Sequence, residues 1–173
     1  KGRCITLAVT YEPIATTTLT STSTSVVFSS IPSTYTDLIV VFTGQNTTAT
    51  VAMTFECDIN NDGGNNYSST WIDMSANTGR GTNNNGAYIG SLSKTSTSWA
   101  VIQFMNYSNT STYKTWMSRW GTMGLALTEQ GGAIVGMWRN TGAINKLDFN
   151  RPAGESGTFD VGCTFTLYGI KAA

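Results

Sequence analysis

The sequence predicts an all-β domain, an antiparallel β-sandwich of the jelly-roll type, and three observations predict it. Apolar side chains recur at every second position over long stretches, the period of a strand with one face on a core and one in water. Gly, Asn and Asp pairs punctuate the chain at short intervals, as turns between strands require. No window carries a helical stripe, and Thr, Val, Ile and aromatic residues fill the ordered segments, residues that suit pleated surfaces. Chains of many antiparallel strands hide their edges by closing into sandwiches or barrels. A jelly roll of two packed sheets is the first expectation. An immunoglobulin-like sandwich is the second, because its Cys-Trp-Cys spacing is not evident.

The 173 residues suffice for one domain with a real core and not for two comfortable ones. Residues 1–10 read as an N-terminal arm or first strand, and residues 11–173 as the sandwich. The start is positive and then apolar, too short and too β-branched for a signal peptide. The missing initiator Met predicts a processed or truncated N terminus. No stretch approaches the roughly 20 apolar residues that cross a bilayer, so no membrane is expected as a partner.

Further along, Val26-Val27-Phe28 and Leu38-Ile39-Val40-Val41-Phe42 are continuous apolar runs. Such runs fit strands buried on both faces or strands beside a subunit contact. Between Val51 and Ile59 the odd positions are apolar and the even ones polar or small, so one face is wet. Asp62-Gly63-Gly64 follows as the strongest hairpin signal. Strands are predicted over residues 69–74, 87–92, 99–107, 114–120, 133–138 and 144–149. Residues 76–86, rich in Asn, Gly and Thr, are predicted to form an exposed loop. At the C-terminal end Phe159, Val161, Cys163, Phe165 and Leu167 are expected to point one way, into the core.

Composition excludes several functions. Net charge is zero, and charged residues are 12% of the chain against about 25% in an ordinary soluble domain. Ser and Thr make up about a quarter of it. The ten basic residues are scattered without a run, which gives no footprint for nucleic acid. The absence of histidine removes Ser-His-Asp and Cys-His catalysis and the commonest metal ligand. Cys4, Cys57 and Cys163 are an odd set without zinc spacing. Cys57 and Cys163 sit on alternating apolar faces and read as small core residues. No cofactor is expected, and the chain is not expected to be an enzyme.

Asp58-Ile59-Asn60-Asn61-Asp62-Gly63 matches the opening of a calcium loop, with Asp58, Asn60 and Asp62 as weak candidate ligands. The match fails at the twelfth position, where Ser69 replaces the bidentate Glu. A turn held by Asx side chains is the competing reading. Glu56 and Asp58 share the polar face of one strand, but no cleft marks them as a glycosidase pair. The tryptophans Trp71, Trp99, Trp116, Trp120 and Trp138 are many for this length. They fit a core or subunit contacts, with a glycan-binding face as the alternative. Cys4, Ile5 and Leu7 of the arm, with Trp116 and Trp120, are the candidate partner-binding residues.

Four stretches carry a resemblance. They are Tyr11-Glu12-Pro13-Ile14 on to Leu19, Ser25-Val26-Val27-Phe28 on to Leu38, the Asn/Asp/Gly segment from Asp58 ending in Asn66-Tyr67-Ser68, and Phe165-Thr166-Leu167-Tyr168-Gly169-Ile170-Lys171. This set resembles a group of small virion proteins of tailed bacteriophages, including cyanophages, over residues 11–171. The resemblance implies a structural protein on the exterior of the particle: a head decoration (cement) protein that bridges capsid subunits. Its implied partners are the major capsid protein or other virion proteins, and its implied state is a homotrimer. Strand addition by residues 1–10 would supply a clamp. A tail-fibre or receptor-binding module that recognises host surface glycans is the alternative implication.

Overall fold

The computed structural model describes residues 10–47, 52–123 and 131–171. Their regular elements are twelve strands: β1 Tyr11–Thr18, β2 Ser25–Phe28, β3 Asp37–Gly44, β4 Ala52–Ile59, β5 Tyr67–Asp73, β6 Thr78–Asn84, β7 Ala87–Ser93, β8 Thr97–Met105, β9 Lys114–Met123, β10 Gly131–Trp138, β11 Leu147–Asn150 and β12 Thr164–Ile170. Eight form one antiparallel sheet in the order β1-β12-β3-β8-β9-β10-β5-β6, and four form a second in the order β2-β11-β4-β7. The sheets pack as a sandwich, as the alternation predicts.

The pairing is nested. β1 pairs with β12, β2 with β11, β3 with β8 and β4 with β7. Successive pairs alternate between the larger and the smaller sheet. The chain therefore crosses from one sheet to the other at each step of the nest. β9, β10, β5 and β6 extend the larger sheet beyond β8.

Alternation sets the core. Phe42 of β3 meets Phe165 of β12 at 4.6 Å between ring centroids and Phe55 of β4 at 5.3 Å. Phe159 stands edge-on to Phe165 at 5.2 Å, and Phe149 of β11 lies 5.4 Å from it. Cys57 and Cys163 are buried free thiols, as their faces predict. Burial pushes both thiols up from the ordinary range, so each acts as a small hydrophobe.

Four expectations are corrected. Residues 76–86 are exposed but contain β6, paired in register with β5. This edge strand has water on both faces, so nothing demands apolar alternation from it. The indole of Trp71 covers its Gly79 in place of a cross-strand side chain. Second, Asp62-Gly63 does not turn a hairpin: β4 and β5 belong to different sheets, and the segment is a corner between them. Third, the apolar runs are not buried on both faces, because Val27 and Val41 face outward, Val41 being 37% exposed. Fourth, Val161 is 57% exposed, since a turn at Gly162, with φ +85°, breaks the alternation just before β12.

The free edges are blunted. β1 carries Pro13 and a bulge between Pro13 and Ala15, while β2 has four residues. Proline, bulges and shortness each discourage edge-to-edge pairing.

Candidate functional site

The Asp58–Gly63 segment folds as a side-chain-held corner. Asn60 and Asn61 adopt positive φ, 54° and 61°, a conformation Asn tolerates. The Asn60 Oδ1 accepts the backbone N–H groups of Asn145 and Lys146 at 2.9 and 3.0 Å, and its Nδ2 donates to Ala143 O at 2.8 Å. Asp62 accepts from Gly64 N (2.9 Å), Asn66 Nδ2 (3.0 Å) and Trp138 Nε1 (2.7 Å). Burial opposes its charge, but these donors together hold its carboxyl below the usual range. Asp58 lies on the outer face of the smaller sheet and accepts from Asn150 Nδ2 at 3.0 Å. The three candidate ligands therefore serve separate internal donors. Among the described residues no three His, Cys, Asp or Glu side chains are grouped to hold a metal ion.

The partner candidates divide. Cys4, Ile5 and Leu7 lie outside the described residues. Trp116 and Trp120 are not on the surface: Trp116 is fully buried and Trp120 is 6% exposed. Both point into the sandwich, where Trp116 lies over Gly136 and Trp120 over Gly90, and Trp116 Nε1 donates to Tyr88 O at 3.1 Å. They share the inward face of β9 with Lys114 and Ser118. Lys114 is buried with its Nζ donating to Thr112 O at 2.7 Å and Thr141 O at 3.0 Å. Ser118 Oγ donates to Ile89 O at 2.7 Å. A polar residue at every other inward position disguises that face as a wet one.

The surface that stands out is the outer face of the eight-stranded sheet. Register places Tyr168, Ile39, Gln103, Met117, Val135 and Thr70 in one cross-strand row. The next row is Thr166, Val41, Val101, Arg119, Ala133 and Ile72. Arg119 is the one charge in these two rows. Val135 and Ile72 are 54% and 52% exposed. Eight strands spaced about 4.8 Å apart, each roughly 23 Å long, make a face of about 800 Å². That equals about what one partner contributes to a standard protein interface, also ~800 Å². Exposed apolar patches of several hundred Å² on a soluble domain mark contact sites.

The outer face of the smaller sheet is acidic instead. Asp58 and Asp148 stand directly opposite each other, and Glu56 opposes Asn150. Like charges so placed destabilise a sheet. Lys146 Nζ reaches Asp148 Oδ2 at 3.9 Å, and Glu155 Oε2 accepts from Thr54 N at 2.9 Å. Burial, then the charges of Asp58 and Glu155, push the Glu56 carboxyl up to about 7. Burial raises Asp58 and Asp148 as well. A carboxyl raised in the folded state adds stability below its ordinary value and loses it as pH climbs through the raised one. The protein is therefore expected to weaken between pH 5 and pH 8. Glu56→Gln should flatten that slope and gain about 1–2 kcal/mol at pH 8, after allowance for solvent screening. Urea midpoints of both proteins at the two pH values check this.

Comparison with family models gives no match to this chain, and comparison with curated proteins gives none either.

Proposed function

We propose that the chain is a structural protein of a tailed-bacteriophage particle, a head decoration protein on the virion exterior that works by adhesion and not by catalysis. In this reading it assembles as a homotrimer and bridges neighbouring copies of the major capsid protein. The observation that carries it is the broad outer face of the eight-stranded sheet, rowed with Ile39, Val41, Val101, Met117, Val135 and Ile72 and carrying Arg119 and Arg80 among them. A face with so few charges clamps mainly through buried area and shape, with little dependence on salt. The resemblance over residues 11–171 points the same way.

The test places charge on the face without touching the core. Val135→Glu and Val41→Glu alter outward positions, so each variant should melt close to the parent. Sedimentation equilibrium is expected to give a trimer for the parent, and electron microscopy of phage particles is expected to show it in many copies on the head. Both glutamates together should abolish decoration. A parent protein that stays monomeric and is absent from heads overturns the reading.

A further inference from the structure

Trp99 differs from the other four tryptophans. It faces outward from β8 and is 38% exposed. Its direct cross-strand neighbour on β9 is Gly121. A Cβ at Gly121 would lie 3.0, 3.1 and 3.1 Å from Nε1, Cε2 and Cζ2 of the indole. A point at those distances lies off the plane of the indole, beside its Nε1–Cζ2 edge. The indole thus leans over the glycine by that edge, and more than a third of the residue is left open to water.

A cleft of about 210 Å³ lies next to its strand neighbours, lined by Thr43, Gly44, Gln45, Thr97, Val161, Gly162 and Cys163. Thr43 is the cross-strand neighbour of Trp99 on β3, and Thr97 is two residues before it on the same face. Among the described residues, the side chains of Thr43, Thr97 and Gln45 make no hydrogen bond to another protein group, so their donors and acceptors are available. No charged side chain lines the cleft.

We propose that Trp99 and this cleft form a binding site for a neutral hexopyranose unit. The negative π-face of an exposed indole attracts the polarised C–H bonds on the apolar side of a sugar ring. The Thr43 and Thr97 hydroxyls and the Gln45 amide each offer a donor and an acceptor to sugar hydroxyls. Val161 supplies an apolar flank. The lack of charge selects against uronic acids and phosphosugars, because their anion would lose water without a partner. The site lies toward one end of the strands, at the margin of the larger sheet's outer face, and it does not depend on capsid docking.

Saturation-transfer NMR on the full chain tests this, with the methyl pyranosides of glucose, galactose and mannose and with glucuronate as probes. At about 10 mM sugar, tenfold above a millimolar Kd, at least one neutral pyranoside should receive saturation, strongest on the C–H protons of one ring face. Trp99→Ala should weaken its binding about tenfold, and Thr43→Val combined with Thr97→Val about fivefold, losses of about 1.4 and 1 kcal/mol. Circular dichroism confirms that each variant is folded, and the threonine pair retains the test if the tryptophan variant is not. No transfer to any neutral pyranoside overturns the proposal. Preference for glucuronate, or binding unchanged in folded variants, overturns it as well.

Discussion

Replacing Gly136 by alanine is expected to destabilise the protein by about 3 kcal/mol, the upper end of the usual cost of overpacking a core. Gly136 lies on β10 directly opposite Trp116 on β9, and the buried indole rests on the bare backbone so closely that a methyl group there would come within 2.0 Å of its Cζ2. Trp116 cannot retreat, because Tyr67 stands edge-on to it at 6.3 Å and its Nε1 is tied to the Tyr88 carbonyl. Moving the ring breaks that bond inside the core, and moving the strand disturbs the pairing of β10 with both neighbours. Thermal melting should fall by roughly 10 °C, at about 2–4 °C per kcal/mol for a domain of this size. Gly63→Ala is the control. Nothing lies within 4 Å of a Cβ at Gly63, and its melting point should hardly move.

Phe42→Ala is expected to cost about 4 kcal/mol, within the range for emptying a buried aromatic site. The Phe42 ring is fully buried and joins both sheets, lying 4.6 Å from Phe165 in its own sheet and 5.3 and 6.2 Å from Phe55 and Phe159. Its removal leaves a cavity that β3 cannot collapse into, because β3 is held between β12 and β8. Phe42→Leu, which restores most of the volume, should lose no more than about 1.5 kcal/mol. Urea titration of the three proteins checks the order. A cost under about 1 kcal/mol for the alanine variant would place the centre of the core elsewhere.

The strands with one wet and one dry face were the legible part of the sequence. β4 and β12 declare their inward residues, Phe55 and Cys57, Phe165 and Leu167, by strict alternation. What pairs with what was not legible. Asp62-Gly63 carries the same local chemistry whether the chain doubles back within a sheet or crosses to the other, since a turn reports the bend and not the destination. β6 was missed because an edge strand with both faces in water needs only backbone hydrogen bonds, which leave no mark in side-chain types. Trp116 and Trp120 fitted either a core or a contact surface in the sequence, because Lys114 and Ser118 share their face, and only the structure shows those polar atoms bonded to backbone carbonyls. The outward tryptophan at position 99 had a readable half. Ser98, Ala100, Ile102 and Phe104 form the better apolar set of β8, which turns Trp99 outward. Its glycine support, Gly121, depends on register and could not be read.

The nested pairing of the strands governs how the chain is made. β1 and β2 are made well before their partners β12 and β11. Contacts so far apart in sequence pay their loop-closure entropy before anything rewards it. Neither sheet is complete before β11 and β12 have been made, so apolar strand faces stay uncovered up to that point. Folding is consequently expected to be slow for this protein, and crowding of half-paired chains is its most exposed moment.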